Sequence, residues 1–140
     1  MITQTACTIF KTNLLKGDED FNTGTAYTYK IALYTADASL DDTTTAYSAT
    51  NEVSGTGYTA GGNTLTPVAP TSSGTTAYVS FANTSWSSAS FTCRGALIYN
   101  STTGAAVCVL NFGSDKTCSN QTFTVTFPTA DANSAVLRIS

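Results

Sequence analysis

The run QTFTVTFP at residues 121–128 sets Phe123, Val125 and Phe127 on one parity and Thr122, Thr124 and Thr126 on the other. Successive side chains of a strand point to opposite faces, so this run calls for a sheet with one buried and one wetted surface. The whole chain is biased the same way: 28 Thr and 15 Ser make up close to a third of its 140 residues. Threonine, with Tyr, Phe and Val, suits a pleated, half-buried surface. Charged residues are only 11% of the chain, against about 25% in an ordinary globular protein. Sheet edges therefore have little protection by lysine, and pairing inside an assembly is the expected remedy.

Other segments extend the pattern. Ala6, Phe10 and Leu14, with Ile9 beside them, predict a short amphipathic helix within residues 5–16, stopped by Gly17. AYTYKIALYTA, at 26–36, reads as a strand with Tyr27, Tyr29, Ile31 and Leu33 on one parity. A long polar loop follows over 37–63, then a short strand at 65–68 ended by Pro67 and Pro70, and a turn at 71–76. AYVSFAN is a further strand, with Val79 and Phe81 on one side, and TSWSSAS is a turn carrying the single tryptophan, Trp86. SFTCRGALIY and AAVCVLNFG flank the turn at 100–104 as a hairpin. Its second arm is apolar on both parities, which suits a central position. In that register Cys93 lies opposite Phe112 and not Cys108. AVLRIS closes the chain as a last strand. Six to eight short strands and an N-terminal helix give a mainly β single domain over 1–140, a sandwich or a barrel.

Composition also narrows the function. A net charge of −3 with six scattered basic residues is no footprint for a phosphate backbone, so nucleic acid is not an expected partner. The N-terminal stretch lacks a basic segment followed by an apolar run, and no stretch approaches the roughly 18 apolar residues of a membrane span. The expectation is a soluble product of the cytoplasm with no membrane partner. Cys7, Cys93, Cys108 and Cys118 show no close pairing and His is absent, so neither zinc nor any other cofactor is expected. The cysteines read as small apolar residues.

The densest motif is TNEVSGTGYTAGGNTL, at 50–65, whose residues 55–60 match G-x-G-x-x-G/A. A dinucleotide fingerprint must follow a buried strand, open a helix and be answered by an acid about 20 residues later. After Glu52 no Asp or Glu appears until Asp115, no helical pattern follows, and no G-K-[ST] is present. The glycines instead suit left-handed turns and close backbone approach. The expected role is a contact loop made of Asn51, Glu52, Val53, Gly55, Gly57, Tyr58, Gly61 and Gly62, with Tyr58 packing against a neighbour. On that reading, Gly57→Val or deletion of 55–62 weakens association and leaves the monomer folded.

Two acidic features bear on chemistry. In GDEDFNTG, Asp18, Asp20 and Asn22 match the first ligand positions of a calcium loop, but the turn glycine is displaced to Gly24 and the closing acid is replaced by Tyr29. A solvated connection is the default reading, and Asp41 and Asp42 read as turn residues. Without His no Ser-His-Asp or Cys-His arrangement exists. A glycosidase pair would have to come from Asp37, Asp41, Asp42, Glu52 or Asp115, and nothing in the sequence brings two together. The chain reads as a non-enzyme. The three sequons, at Asn83, Asn100 and Asn120, match what a chain so rich in Ser and Thr produces by chance.

KIALYTADASLDDTTTAYSATNEVSGTGYTAGGNTL, SFANTSWSSASFTCRGALIYNSTTG and VLNFGSDKT with FTVTFP resemble a family of small virion structural proteins of tailed bacteriophages. The likeness runs from about Phe10 to Ile139 and is most specific at 51–62 and 94–104. It implies a part of the phage particle, assembled in the host cytoplasm. Members of this size without enzymatic motifs look like capsid decoration or cement proteins, often trimeric, whose partner is the major capsid protein. The alternative it leaves is a tail or head-fibre component, an adaptor or a glycan-binding module. Exposed rings at Tyr47, Tyr58 and Trp86 would favour glycan binding; the same rings buried against a symmetry mate would favour cement.

Overall fold

The computed structural model describes residues 1–22, 24 and 27–140. Its elements are β1 (Thr5–Ala6), α1 (Thr8–Lys16), β2 (Tyr29–Tyr34), β3 (Asn63–Thr64), β4 (Pro67–Ser73), β5 (Thr76–Phe81), β6 (Thr84–Asn100), β7 (Ala106–Val125) and β8 (Leu137–Ile139). They form two antiparallel sheets, in the orders β1-β7-β6-β2-β3 and β4-β5-β8. Neither closes on itself, so the chain is mainly β and sandwich-like, with one short N-terminal helix.

The core follows the strands that are apolar on both faces. Every residue of β2 except Lys30 is buried, and β2 pairs with β6 from Tyr29↔Asn100 to Tyr34↔Gly95. Residues 106–109 of β7 are buried on both parities, as their position between β1 and β6 requires. Aromatic contacts tie the small sheet to the large one. Phe21 stacks on Tyr29 at 4.4 Å between ring centroids and meets Phe81 edge-on at 6.0 Å. Phe81 in turn meets Phe127 at 5.6 Å. The alternation of QTFTVTFP holds: Val125 and Phe127 are buried while Thr122, Thr124 and Thr126 face water.

Several expectations are corrected. The helix starts at Thr8, because Thr5 and Ala6 pair with Val109 and Cys108 and Cys7 is extended as the N-cap. Backbone pairing on β7 thus outweighs the helical spacing that Ala6 begins. Gly17, at φ +80°, ends the helix in the left-handed cap, its N–H on Leu14 O. β4 runs through both Pro67 and Pro70; it is an edge strand, where a missing N–H is tolerated, and its register slips between Val68 and Thr71. The following turn therefore shrinks to Gly74 and Thr75. Part of the strand expected over 26–36, at Ala26, lies outside the described residues.

The largest correction concerns the hairpin. TSWSSAS is not a turn but the start of β6, a strand of 17 residues against a β7 of 20. Trp86 sits opposite Phe123, and the Ser85 and Thr124 hydroxyls share a hydrogen bond of 2.9 Å. Bulges absorb the mismatched residues: Ser88, at φ 49°, lies in the irregularity between Trp86 and Ala89, and Asn120, at φ 49°, lies in the next one. A larger slip between Cys93 and Gly95 places Cys93 opposite Lys116 rather than Phe112. The hairpin therefore has an inner half woven into the sheet and an outer half that continues as a two-stranded ribbon.

Candidate functional site

The glycine motif lies against the side of β6 that no strand covers in the outer half of the hairpin. Thr56 bridges Ser90, whose N–H donates to Thr56 O at 2.9 Å. A Cβ on Gly55 would stand 2.5 Å from Ser90 O, and one on Gly57 2.8 Å from Ala89 Cα. One on Gly62, at φ +77°, would fall 1.7 Å from Ile31 O. Close approach is thus the reason for these glycines, and the backbone approached is the chain's own. Valine at Gly57 would push the strap off β6, which corrects the expectation that this variant leaves the fold intact. No helix follows the motif; β3 does.

Beneath the strap sits a carboxylate. Glu52 Oε1 accepts from Tyr47 OH, and Oε2 accepts from Tyr58 OH and, at 2.7 Å, from Gly61 N. Tyr58 OH also accepts from Leu33 N at 2.9 Å, and Tyr99 OH donates to Gly61 O at 2.8 Å. Burial beside this acid pushes the Tyr34, Tyr47 and Tyr58 phenols well above their usual range. Each part of the cluster has a local cause. Tyr34 O–H donates to Ser48 O at 2.6 Å, Val53 is buried with its N–H on Leu33 O, and Asn51 takes φ 60° where the chain turns. Tyr58 also meets Trp86 at 6.0 Å and Phe91 at 5.8 Å, and Tyr47 stacks on Tyr99 at 4.7 Å. Trp86 is thus buried by this chain itself, and the rings of Tyr47 and Tyr58 are half-buried against it. That is neither of the two arrangements that were to separate glycan binding from cement.

A second carboxylate is built differently. Glu19, 8% exposed, accepts at Oε2 from Tyr29 OH at 2.7 Å and from Asn100 Nδ2 at 3.3 Å. Its Oε1 is buried without a hydrogen-bond partner. Asn13 lies close enough to favour the charged form but does not make a well-formed bond to Oε1. Burial dominates and raises the carboxyl above its ordinary value, against the lowering pull of Tyr29 and Asn100. Asn100, itself fully buried, spends its Oδ1 on the N–H groups of Thr102 and Thr103, so the same residue shapes the hairpin turn.

The remaining acids stay apart. Asp20 Oδ1 accepts from Asn22 N and Nδ2, both at 3.0 Å; Thr23, inside the calcium-like stretch, lies outside the described residues. Asp41 Oδ1 accepts from Thr43 N at 2.8 Å and Thr43 Oγ1 at 2.6 Å, which holds its carboxyl below the usual range and makes it the turn residue expected. Asp115 pairs with Arg94 at 3.5 Å on the ribbon. Among the described residues no group of three or more Cys, Asp or Glu is gathered as for a metal ion. All four cysteines are buried and free; burial pushes the Cys7 thiol up to about 11 and Cys93 to about 12. Buried thiols of this kind are inert packing groups.

Sequence reasoning placed Glu52 and Tyr58 in one loop but missed that the loop closes on Tyr47 and Tyr99. It also missed Glu19 with Tyr29 and Asn100, whose partners lie up to 81 residues away in the chain. No local signal marks either cluster. No family model matches the chain, and no curated protein or solved structure matches it either.

Proposed function

We propose that this chain is a structural protein of a tailed-phage particle, a decoration or cement protein that binds the major capsid protein on the outside of the head and stabilises contacts between capsomers. The observation that supports this most is the outer side of β7. Among the described residues, no strand pairs with β7 beyond Val109 on the side away from β6. Over residues 113–125 that edge carries Ser, Thr, Asn and Gln with only Asp115 and Lys116 for charge. An edge so long and so lightly charged suits backbone pairing within an assembly. The sequence resemblance points to the same class. Self-association, with a trimer favoured, belongs to the proposal because repeated weak contacts on a symmetric lattice reinforce one another.

In this reading the strap over 55–62 serves contact by presenting Thr56, Thr59 and Ala60, which are exposed, on a backbone fixed by its glycines. The fibre reading needs exposed aromatic rings; that of Trp86 is buried, and those of Tyr47 and Tyr58 are half-buried and packed on Tyr99, Trp86 and Phe91. The deciding experiment is the copy number per purified virion, relative to the major shell protein, by quantitative mass spectrometry. A count in the hundreds supports shell decoration. A count of a few to a few dozen overturns it in favour of tail, portal or fibre.

A further inference from the structure

We propose that Glu19 is a pH-sensitive latch: neutral, it holds the segment over 18–22 against the sheets, and ionised, it lets that segment open while the rest of the domain stays folded. Two residues fasten the segment. At the first, Tyr29 OH donates to Glu19 Oε2 at 2.7 Å and accepts from Asp20 N at 3.0 Å. Asn100 Nδ2 adds a longer bond to the same carboxylate oxygen, at 3.3 Å. At the second, the Phe21 ring meets Phe10, Tyr29 and Phe81, and so joins α1, β2 and β5. Glu19 and Phe21 thus clip one short segment across the helix and both sheets.

Ionisation bears on this clip because of what surrounds the carboxyl. Glu19 is buried, and its Oε1 has no hydrogen-bond partner. Among the described residues no cation pairs with it. α1 offers Asn13, β2 Tyr29 and β6 Asn100, all uncharged, since burial and the adjacent acid hold the Tyr29 phenol above its usual range. Its own segment brings two further acids, Asp18 and Asp20, and Asp18 disfavours a second charge beside it. Lys11 of α1, Tyr78 of β5 and Arg138 of β8 share a groove with Glu19, and none makes an ion pair with it. A buried carboxylate without a counter-ion favours its neutral form, whereas water favours the charged one. Any opening that brings Glu19 to water is therefore promoted as pH rises from about 4.3, where an exposed Glu titrates, to the higher value of the closed form. Such an opening breaks local contacts only. The pairing of β2 with β6 does not involve the segment, so the sheets need not part. Glu19, Asp20 and Phe21 also line the groove of about 630 Å³ shared by α1, β5 and β8, and opening removes that side of it. The inference does not depend on the phage reading.

Native-state hydrogen exchange of the full chain from about pH 4 to 7, with intrinsic rates divided out, tests this. Protection of the Asp20 amide should lie below that of the Leu97 and Ile98 amides in the core at every pH. It should also fall by about threefold or more across the range. In Glu19→Gln, which keeps an acceptor for Tyr29 and cannot ionise, it should stay flat. The Glu19 carboxyl carbon, followed by NMR in the native chain, should titrate above an exposed Glu. Asp20 protection that does not change with pH, or that falls equally in Glu19→Gln, overturns the proposal. So does protection equal to that of the core amides, because the segment would then open only with the whole domain. Titration of the carboxyl at or below the exposed value overturns it as well.

Discussion

Glu52 and Glu19 are both carboxylates drawn into a β-rich interior, and they are completed to different degrees. Glu52 has both oxygens engaged, by two phenols and a backbone N–H. Glu19 has one oxygen engaged twice and the other buried with none. A fully bonded, half-buried acid fixes its surroundings, whereas a buried unpaired oxygen keeps the cost of losing water. The first therefore acts as a clasp that locks the strap over 55–62. The second is a half-bonded tether, holding the 18–22 segment to Tyr29 and the hairpin turn through Asn100.

The largest effect should come from removing the clasp's steric fit. Gly62→Ala places a Cβ on Ile31 O at a left-handed φ, and a loss of about 3 kcal/mol or more is expected in urea unfolding. Gly17→Ala is the control: nothing lies within 4 Å, so only the φ strain of about 1 kcal/mol applies. Equal losses at the two positions would show that the strap does not need its close approach to β2.

Removing the clasp's acceptor comes next. Glu52→Ala strands the Tyr47 and Tyr58 hydroxyls and the Gly61 N–H, and a loss of about 2–3 kcal/mol is expected from groups left unpaired. Amide exchange at Gly61 should accelerate in step. Retained protection there would mean that Tyr99 alone holds the strap.

Glu19→Gln should cost less, about 1 kcal/mol, because only the bonds at Oε2 are at stake. Its pH dependence is the sharper comparison. The folded carboxyl is raised above its unfolded value, so its protonation favours the folded state. The stability of the native chain minus that of Glu19→Gln should therefore be greatest below the unfolded value and fall as pH rises through the raised folded value. Paired urea titrations between about pH 4 and 7 check the sign. A difference that grows with pH would mean that hydrogen bonding, not burial, sets the state of Glu19.

The smallest effect is expected on the ribbon's wetted face. The Thr92 and Thr117 hydroxyls share an exposed hydrogen bond of 2.9 Å. Changing both to Val should shift stability by less than about 0.5 kcal/mol, as β-propensity is kept and removing both hydroxyls together leaves no polar group unpaired. Thermal unfolding of the double variant measures this. A loss near that of Glu52→Ala would show that surface hydroxyl pairs hold the hairpin as firmly as the buried clasp does.

The reading of the sequence succeeded where one side chain reports on its own environment. Strict alternation around Phe123 and Val125, the two-sided apolar run of β7 and the Gly17 helix stop need no knowledge of a partner, because period and backbone geometry are local. It failed where a residue's conformation depends on what lies across the sheet. TSWSSAS has turn composition, yet it is extended because Trp86 finds Phe123 and Thr56 covers Ser90. Pro70 is a breaker by itself, and β4 tolerates it because the strand stands at an edge.

Alternation of threonine with apolar residues, with few charges and no His, determined by itself that this chain builds mainly β structure around one core. Tertiary structure alone decided which glycines meet backbone, which acid is fully bonded and which edges stay open. Each of those depends on pairing between residues far apart in sequence, and a three-residue slip at one bulge is enough to change what faces what.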